Sequence, residues 1–206
     1  MPENRVGLAV MRTQPLHRGH TRIINTMIQD HRTVIVALGS SNKSGERHDP
    51  WTIEDRMTML HNVYGRRIRI VPLNDIGSEQ GSTDWCDYVL QKIADVGLPE
   101  ATDYYTGSHA DATWYKLRFL DEDQTTYPTE PAAGYYTPSR ILRRLHILDR
   151  TASAVPSATE IRTFLETRSH EWKKWVPAVN HQIVEETYPE RFRILIRPRA
   201  SPTPGN

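Results

Sequence analysis

Two histidines separated by Arg-Gly are the side chains of this sequence best suited to chemistry; they stand in Met11-Arg12-Thr13-Gln14-Pro15-Leu16-His17-Arg18-Gly19-His20. An imidazole can be neutral or charged near pH 7, and it can donate to an anion that gains charge during a reaction. The stretch lies between an apolar run, Val6-Gly7-Leu8-Ala9-Val10, and a helical pattern carrying Ile23, Ile24, Met27 and Ile28. Such a strand-to-helix junction turns backbone N–H groups and the positive end of a helix dipole towards whatever lies above the strand. It is a phosphate site in outline. Four residues of the form His-x-Gly-His recur by chance, so the weight rests on the surroundings. Ser157-Ala158-Thr159-Glu160-Ile161-Arg162 is a second candidate. An arginine in a first helical turn is electrostatically disfavoured, and that misplacement points to a bound anion.

The elements that must position these residues follow a βαβ rhythm. Strands are expected over 6–10, 33–38, 68–73, 103–106 and 145–148. Helices are expected over 51–64 with Thr52 as cap, 85–96, 110–120, 157–166 and, interrupted at Pro177, 171–186. The run Thr33-Val34-Ile35-Val36-Ala37-Leu38 is continuous, as a strand buried on both faces should be. Residues 121–140 contain three prolines and have no clean period, so they read as an excursion, ordered or mobile. Trp172 and Trp175 read as packing for the C-terminal helix. Arg193-Ile194-Leu195-Ile196-Arg197 reads as a short edge strand, and Ser-Pro-Thr-Pro-Gly-Asn as a frayed end. Polar or glycine-containing clusters stand at five strand ends: 12–20, 39–42, 74–75, 107–108 and 151–162. In an open parallel sheet those ends face one crevice.

At 206 residues with 37% hydrophobic content, the chain can bury one sizeable core. A net charge of +1 argues against a dedicated nucleic-acid surface. No apolar span reaches membrane-helix length and no signal-peptide core precedes the first strand, so a cytoplasmic protein without membrane partners is expected. Cys86 is the single cysteine, which excludes an internal disulfide and a cysteine-built metal site. Neither G-x-G-x-x-G nor a P-loop signature occurs, which excludes a standard dinucleotide dehydrogenase and a P-loop enzyme.

Arg12 to His20 resembles the R-x-Q-P-x-H-x-G-H signature of the nucleotidyltransferase α/β-phosphodiesterase superfamily, and Ser157 to Arg162 resembles its second phosphate motif. More narrowly, the chain resembles the archaeal-type nicotinamide mononucleotide (NMN) adenylyltransferases. The supporting pieces are Gly39-Ser40-Ser41, Asp49-Pro50-Trp51-Thr52, Asp55-Arg56, Val71-Pro72-Leu73-Asn74-Asp75-Ile76, Trp85, Tyr105-Thr106-Gly107-Ser108 and Trp172 to Val184, all in the family order. Met11 replaces the glycine often found before the motif arginine, and Trp51 replaces the usual aromatic of an Asn-Pro-Phe-like element. The resemblance implies an α/β fold: a Rossmann-like, doubly wound, parallel five-stranded sheet with a C-terminal helical segment. Residues 1–188 would form the nucleotidyltransferase domain, with 121–140 an irregular insertion and 189–206 a C-terminal tail.

The implied reaction transfers the adenylyl group of ATP to the 5′-phosphate of NMN, giving NAD and pyrophosphate by direct displacement, with Mg2+ carried by the nucleotide and no protein metal site. His17, His20 and Arg162 are the implied catalytic residues. Arg12, Gln14, Gly19, Gly107 and Thr159 would bind ATP and its phosphates, and Gly39, Ser40, Asp75 and Trp85 would bind NMN. Blander roles stand beside these. Thr159 caps its helix or binds phosphate, or both. Trp85 stacks on the nicotinamide ring or fills the core. Asp75 receives a ligand hydrogen bond or caps a helix, and Gly39 and Gly107 allow close ligand approach or only a turn. Two other functions stay open: transfer to another phosphorylated acceptor such as phosphopantetheine, FMN or an alcohol phosphate, and a non-catalytic nucleotide sensor. A homo-oligomer is also left open.

Overall fold

In the computed structural model, which describes residues 5–77, 83–113, 115, 133–136, 142–148 and 155–194, strand β1 (Val6–Met11) runs through the centre of the sheet. It pairs in parallel with β2 (Thr33–Leu38) on one side, Leu8 opposite Ile35, and with β4 (Asp103–Thr106) on the other, Gly7 opposite Asp103. Strand β3 (Arg69–Pro72) extends the sheet beyond β2, and β6 (Leu142–Ile147) extends it beyond β4, both in parallel. The chain therefore winds outward through β2 and β3, then returns across β1 to continue on the other side. At that switch point the loops after β1 and β4 part and leave a crevice above the strand C-termini.

The five parallel strands are those expected from the sequence. A sixth was not anticipated: β5 (Ala133–Tyr136), inside the stretch read as an irregular insertion, pairs antiparallel with β6 and closes that edge in the order β3-β2-β1-β4-β6-β5. Four residues including Gly134 are too short to carry a visible period, and the partner that makes them a strand is remote in sequence. The rest of 121–140 lies outside the described residues. So do 116–120 of the helix expected over 110–120, and 195–197 of the proposed edge strand.

Alternation along the buried strands divides the core in two. Ala9, Met11, Val34, Val36, Leu38 and Tyr105 face helices α1 (Arg18–Asp30), α2 (Ile53–Tyr64), α4 (Ala158–Glu166) and α5 (His181–Thr187). Val6, Leu8, Ile35, Ala37, Val71 and Tyr104 face α3 (Thr83–Asp95), with Cys86 fully buried among them. α2 and α4 start at matching capping boxes, Thr52 with Asp55 and Ser157 with Glu160, which satisfy the first N–H groups and fix where each helix begins. Trp172 is buried in the first core. The carbonyl of Trp175 accepts from the N–H of Arg18 at 2.8 Å, tying the C-terminal segment to the start of α1. Residues 189–194, assigned by composition to the tail, also dock on the body. A 3-10 turn, Glu190–Phe192, is followed by Ile194, whose N–H donates to Glu166 O at 2.8 Å.

Beside β4, His31 meets the Tyr105 hydroxyl at 2.8 Å and His146 meets Asp103 at 2.8 Å. Burial opposes the charge on Asp103, but hydrogen bonds from His146, Arg5 and Thr102 outweigh it and hold the carboxyl well below the usual range. Each histidine ties β4 to a neighbouring segment. No helix among the described residues is long and apolar enough to cross a membrane.

Candidate active site

The turn after β1 is built on backbone that its own residues disfavour. Thr13 is fully buried at φ 49°, and Ser40, in the turn after β2, sits at φ 53°. Each is a left-handed conformation that costs a non-glycine residue about 1–3 kcal/mol. Arg56, fully buried on α2, holds both turns. Its guanidinium donates to the carbonyls of Arg12 at 2.9 Å, Gly39 at 2.8 Å and Ser40 at 3.0 Å, and its Nε to Thr52 O at 3.3 Å. Gln14 adds a second tie, its side-chain amide exchanging two 3.1 Å hydrogen bonds with the backbone of Trp51. Gln14, expected to touch ATP, thus spends its amide on the scaffold.

From this support the chain enters α1 with His17 as N-cap, extended at φ −140° and ψ 174°; its Nδ1 accepts from the Gly19 N–H at 3.1 Å. An accepting Nδ1 carries no proton, so in the neutral ring the hydrogen sits on Nε2 as a donor. The His20 ring lies one turn on, 4.0 Å between centroids. Gly19 has a reason to be glycine: a Cβ there would fall 2.8 Å from His17 Cε1. For Gly19→Ala, helix propensity gains up to about 1 kcal/mol against overpacking of about 1–3 kcal/mol. Net stability should fall by up to about 2 kcal/mol. Displacing the His17 ring should still lower turnover at least tenfold by order of magnitude; a steady-state rate equal to wild type in the folded variant would refute this.

Arg162 is buried on α4 as the fifth residue of that helix, just beyond the first turn where the sequence placed it, donating to Gln14 O at 2.7 Å and to Thr159 Oγ1 at 3.0 Å. Among the described residues no carboxylate lies within ion-pair distance of it. Burial and the nearby Arg12 both push its pKa down, yet a guanidinium stays protonated at neutral pH. Two cations of like sign beside a helix start make an anion-accepting centre. Ser157 caps α4, so Thr159 is not the cap; its hydroxyl instead receives Arg162. Arg12 is exposed, with Asp49 4.0 Å away.

The far half is assembled by β2, β3 and α3. Ser40 Oγ donates to Asp75 Oδ1 at 2.9 Å, and Lys43 Nζ lies 2.8 Å from Asp75 Oδ2. Burial opposes ionisation of Asp75, but Lys43 and Ser40 outweigh it and lower its pKa. Asp75 does not cap α3, which begins at Thr83. Trp85 is packed in the second core and also lines the crevice. A Cβ at Gly39 or Gly107 would meet only ordinary contacts, at 3.7 and 3.5 Å. The missing side chains there leave room in the crevice rather than relieving the fold.

That crevice has a volume of about 670 Å³, and all twelve residues singled out from the sequence line it: Arg12, Gln14, His17, Gly19, His20, Gly39, Ser40, Asp75, Trp85, Gly107, Thr159 and Arg162. Sequence reasoning missed Lys43 and His48, which also line it, and the supporting role of Arg56. The loop carrying Lys43 and His48 is anchored by Arg47, bidentate on Glu166 of α4 at 2.8 and 2.7 Å. Among the described residues no group of three or more His, Cys, Asp or Glu side chains could hold a metal ion.

Comparison with known proteins agrees with this architecture. The chain is 28% identical to the nicotinamide-nucleotide adenylyltransferase of Pyrococcus abyssi over 92% of its own length and 88% of that protein. The protein of the same name from Methanococcus vannielii is 36% identical, but over 32% of this chain and 41% of that one. A bifunctional NMN adenylyltransferase/ADP ribose pyrophosphatase from Francisella tularensis superposes with a TM-score of 0.65 at 15% identity, covering 92% of this chain and 51% of that chain. Another structure of that bifunctional enzyme is complexed with AMP and a manganese ion. This chain spans about half the length of the Francisella protein, and at that identity the likeness is one of fold. Residues 12–187, from the arginine that follows β1 to the last residue of α5, match the cytidylyltransferase-like family model, and the chain belongs to that family.

Proposed function

We propose that the protein transfers the adenylyl group of ATP to the 5′-phosphate of NMN, giving NAD and pyrophosphate by in-line displacement. The observation that carries this reading is the gathering of residues from five strand ends into one crevice with a basic, histidine-bearing centre and an aromatic, carboxylate-bearing far end. Relatives named nicotinamide-nucleotide adenylyltransferase, matching over 92% or more of the chain, support it.

In this reading an oxygen of the NMN phosphate forms a bond to the α-phosphorus as the bond to the bridging oxygen breaks, and pyrophosphate leaves with the electron pair. Such a transfer needs positioning and charge neutralisation more than a protein nucleophile. Cys86, fully buried in the second core, is not placed to act as one. His17 and His20 donate to the triphosphate and stabilise charge building on the bridging and leaving oxygens. Arg12 and Arg162 clamp phosphates, and the first N–H groups of α4 at Ala158 and Thr159 receive another oxygen. Trp85 offers its face to the cationic pyridine ring. Magnesium enters with ATP as part of the substrate, in keeping with a crevice whose side chains are cationic where the phosphates would lie.

A screen of phosphorylated acceptors with ATP and magnesium, read as pyrophosphate release, tests the reading. NMN should give NAD as product. Turnover with phosphopantetheine, FMN or an alcohol phosphate and none with NMN would overturn it, as would nucleotide binding without any turnover.

A further inference from the structure

We propose that Lys43 sets how well the acceptor end of the crevice takes a pyridine nucleotide bearing a carboxylate instead of a carboxamide. This rests on the functional reading above and names a determinant within the same site. Asp75 is held still there: its N–H donates to Asn42 Oδ1 at 2.9 Å, and its Oδ1 accepts from Ser40 at 2.9 Å. Lys43 reaches the other carboxylate oxygen at 2.8 Å from a half-exposed position in the loop after β2. Lys43, Asp75 and Trp85 all line the crevice, and Lys43 and Asp75 follow β2 and β3, on the β3 side of the turn that carries His17.

A pyridinium ring against Trp85 meets this pair. The Asp75 carboxylate favours the ring's positive charge and can accept from an amide N–H through its remaining lone pairs. A carboxylate on the ring instead brings two like charges together, which is costly unless a cation stands between them. Lys43 is that cation. Its ammonium has three donors on a flexible four-carbon stem, so it can hold Asp75 while also reaching the ligand, or turn from one to the other. Arg12 also acts on Asp75, but in this reading its charge is committed to the phosphates. Removing Lys43 leaves a bare carboxylate facing the substituent of the ring, which penalises the deamidated substrate selectively. Both side chains are more than a third exposed, at 44% and 35%, so solvent screening limits the effect to about fivefold.

The test measures kcat/KM for nicotinic acid mononucleotide and for NMN on the same preparation of each variant, so loss of folded protein cancels in the ratio. Lys43→Gln should lower the ratio of deamidated to amidated substrate about fivefold. Lys43→Arg should keep the ratio near wild type, and Asp75→Asn should raise it. A ratio in Lys43→Gln that falls by less than about threefold overturns the inference while leaving the functional reading standing. Wild-type protein that turns over neither pyridine nucleotide but accepts another phosphate overturns the functional reading and this inference with it.

Discussion

Replacing Arg162 with alanine is expected to lower kcat/KM for pyrophosphate release by about a thousandfold, the scale seen when a positioned arginine is lost from a phosphoryl-transfer site. Its fork already has two fixed acceptors, Gln14 O and Thr159 Oγ1, so the guanidinium is oriented before any ligand arrives. In the proposed reaction its charge is felt most as negative charge accumulates on the leaving oxygens. Arg162→Lys keeps the charge and loses the fork, and should recover only part of the rate. His20→Ala removes one charge-stabilising donor and should cost at least about a hundredfold. Stability should change far less than rate. Burial and Arg12 both lower the folded-state pKa of Arg162, so its protonated form is less favourable in the folded protein than in the unfolded chain at neutral pH. Losing that cation offsets the loss of its hydrogen bonds, and the thermal midpoint of Arg162→Ala should shift by no more than about 4 °C. A folded variant that retains the wild-type rate would remove Arg162 from the mechanism.

Replacing Arg56 with methionine is expected to have the largest effect on stability, about 4 kcal/mol in denaturant unfolding, with activity falling at least tenfold where the protein is still folded. Methionine preserves much of the packed volume, so the loss comes from hydrogen bonding. Four carbonyls, of Arg12, Gly39, Ser40 and Thr52, lose a charged donor; Ser40 and Thr52 keep backbone donors, Lys43 N–H and the residue-56 N–H, whereas a buried acceptor left unsatisfied costs about 1–3 kcal/mol. The same donor holds the turns containing Thr13 and Ser40, whose left-handed backbone relaxes once released. The turns belong to the crevice wall, so the change is felt by Arg12 at one end and Asp75 at the other. Arg56→Lys keeps a charge but can reach fewer of the carbonyls, and should fall between the two. A loss below about 1 kcal/mol in Arg56→Met would show that the turns stand without it.

Arg56 also marks where reading the chain reaches its limit. Nothing local separates it from Arg66 and Arg67, which end the same helical region and are exposed. Arg56 is internal because the carbonyls at the ends of β1 and β2 converge on its position, and that convergence is set by the sheet. The pairing of Lys43 with Asp75, 32 residues on, and of Arg47 with Glu166, 119 residues on, has the same origin. Strand β5 exists because β6 offers it an edge, not because Ala-Gly-Tyr-Tyr has a strand's period.

The sequence by itself determined whatever depends on near neighbours. The strand 33–38 as a buried run, the cap at Thr52 and a helix opening near Ser157 each involve groups within a turn of one another. So do His17, Gly19 and His20, where a nitrogen, an amide and a missing Cβ interlock within four residues. Only the tertiary structure decided which polar groups share a partner across the sheet. Charge and hydrogen bonding act through space over a few ångströms, whereas the chain distance between Arg162 and the Gln14 carbonyl it holds is 148 residues.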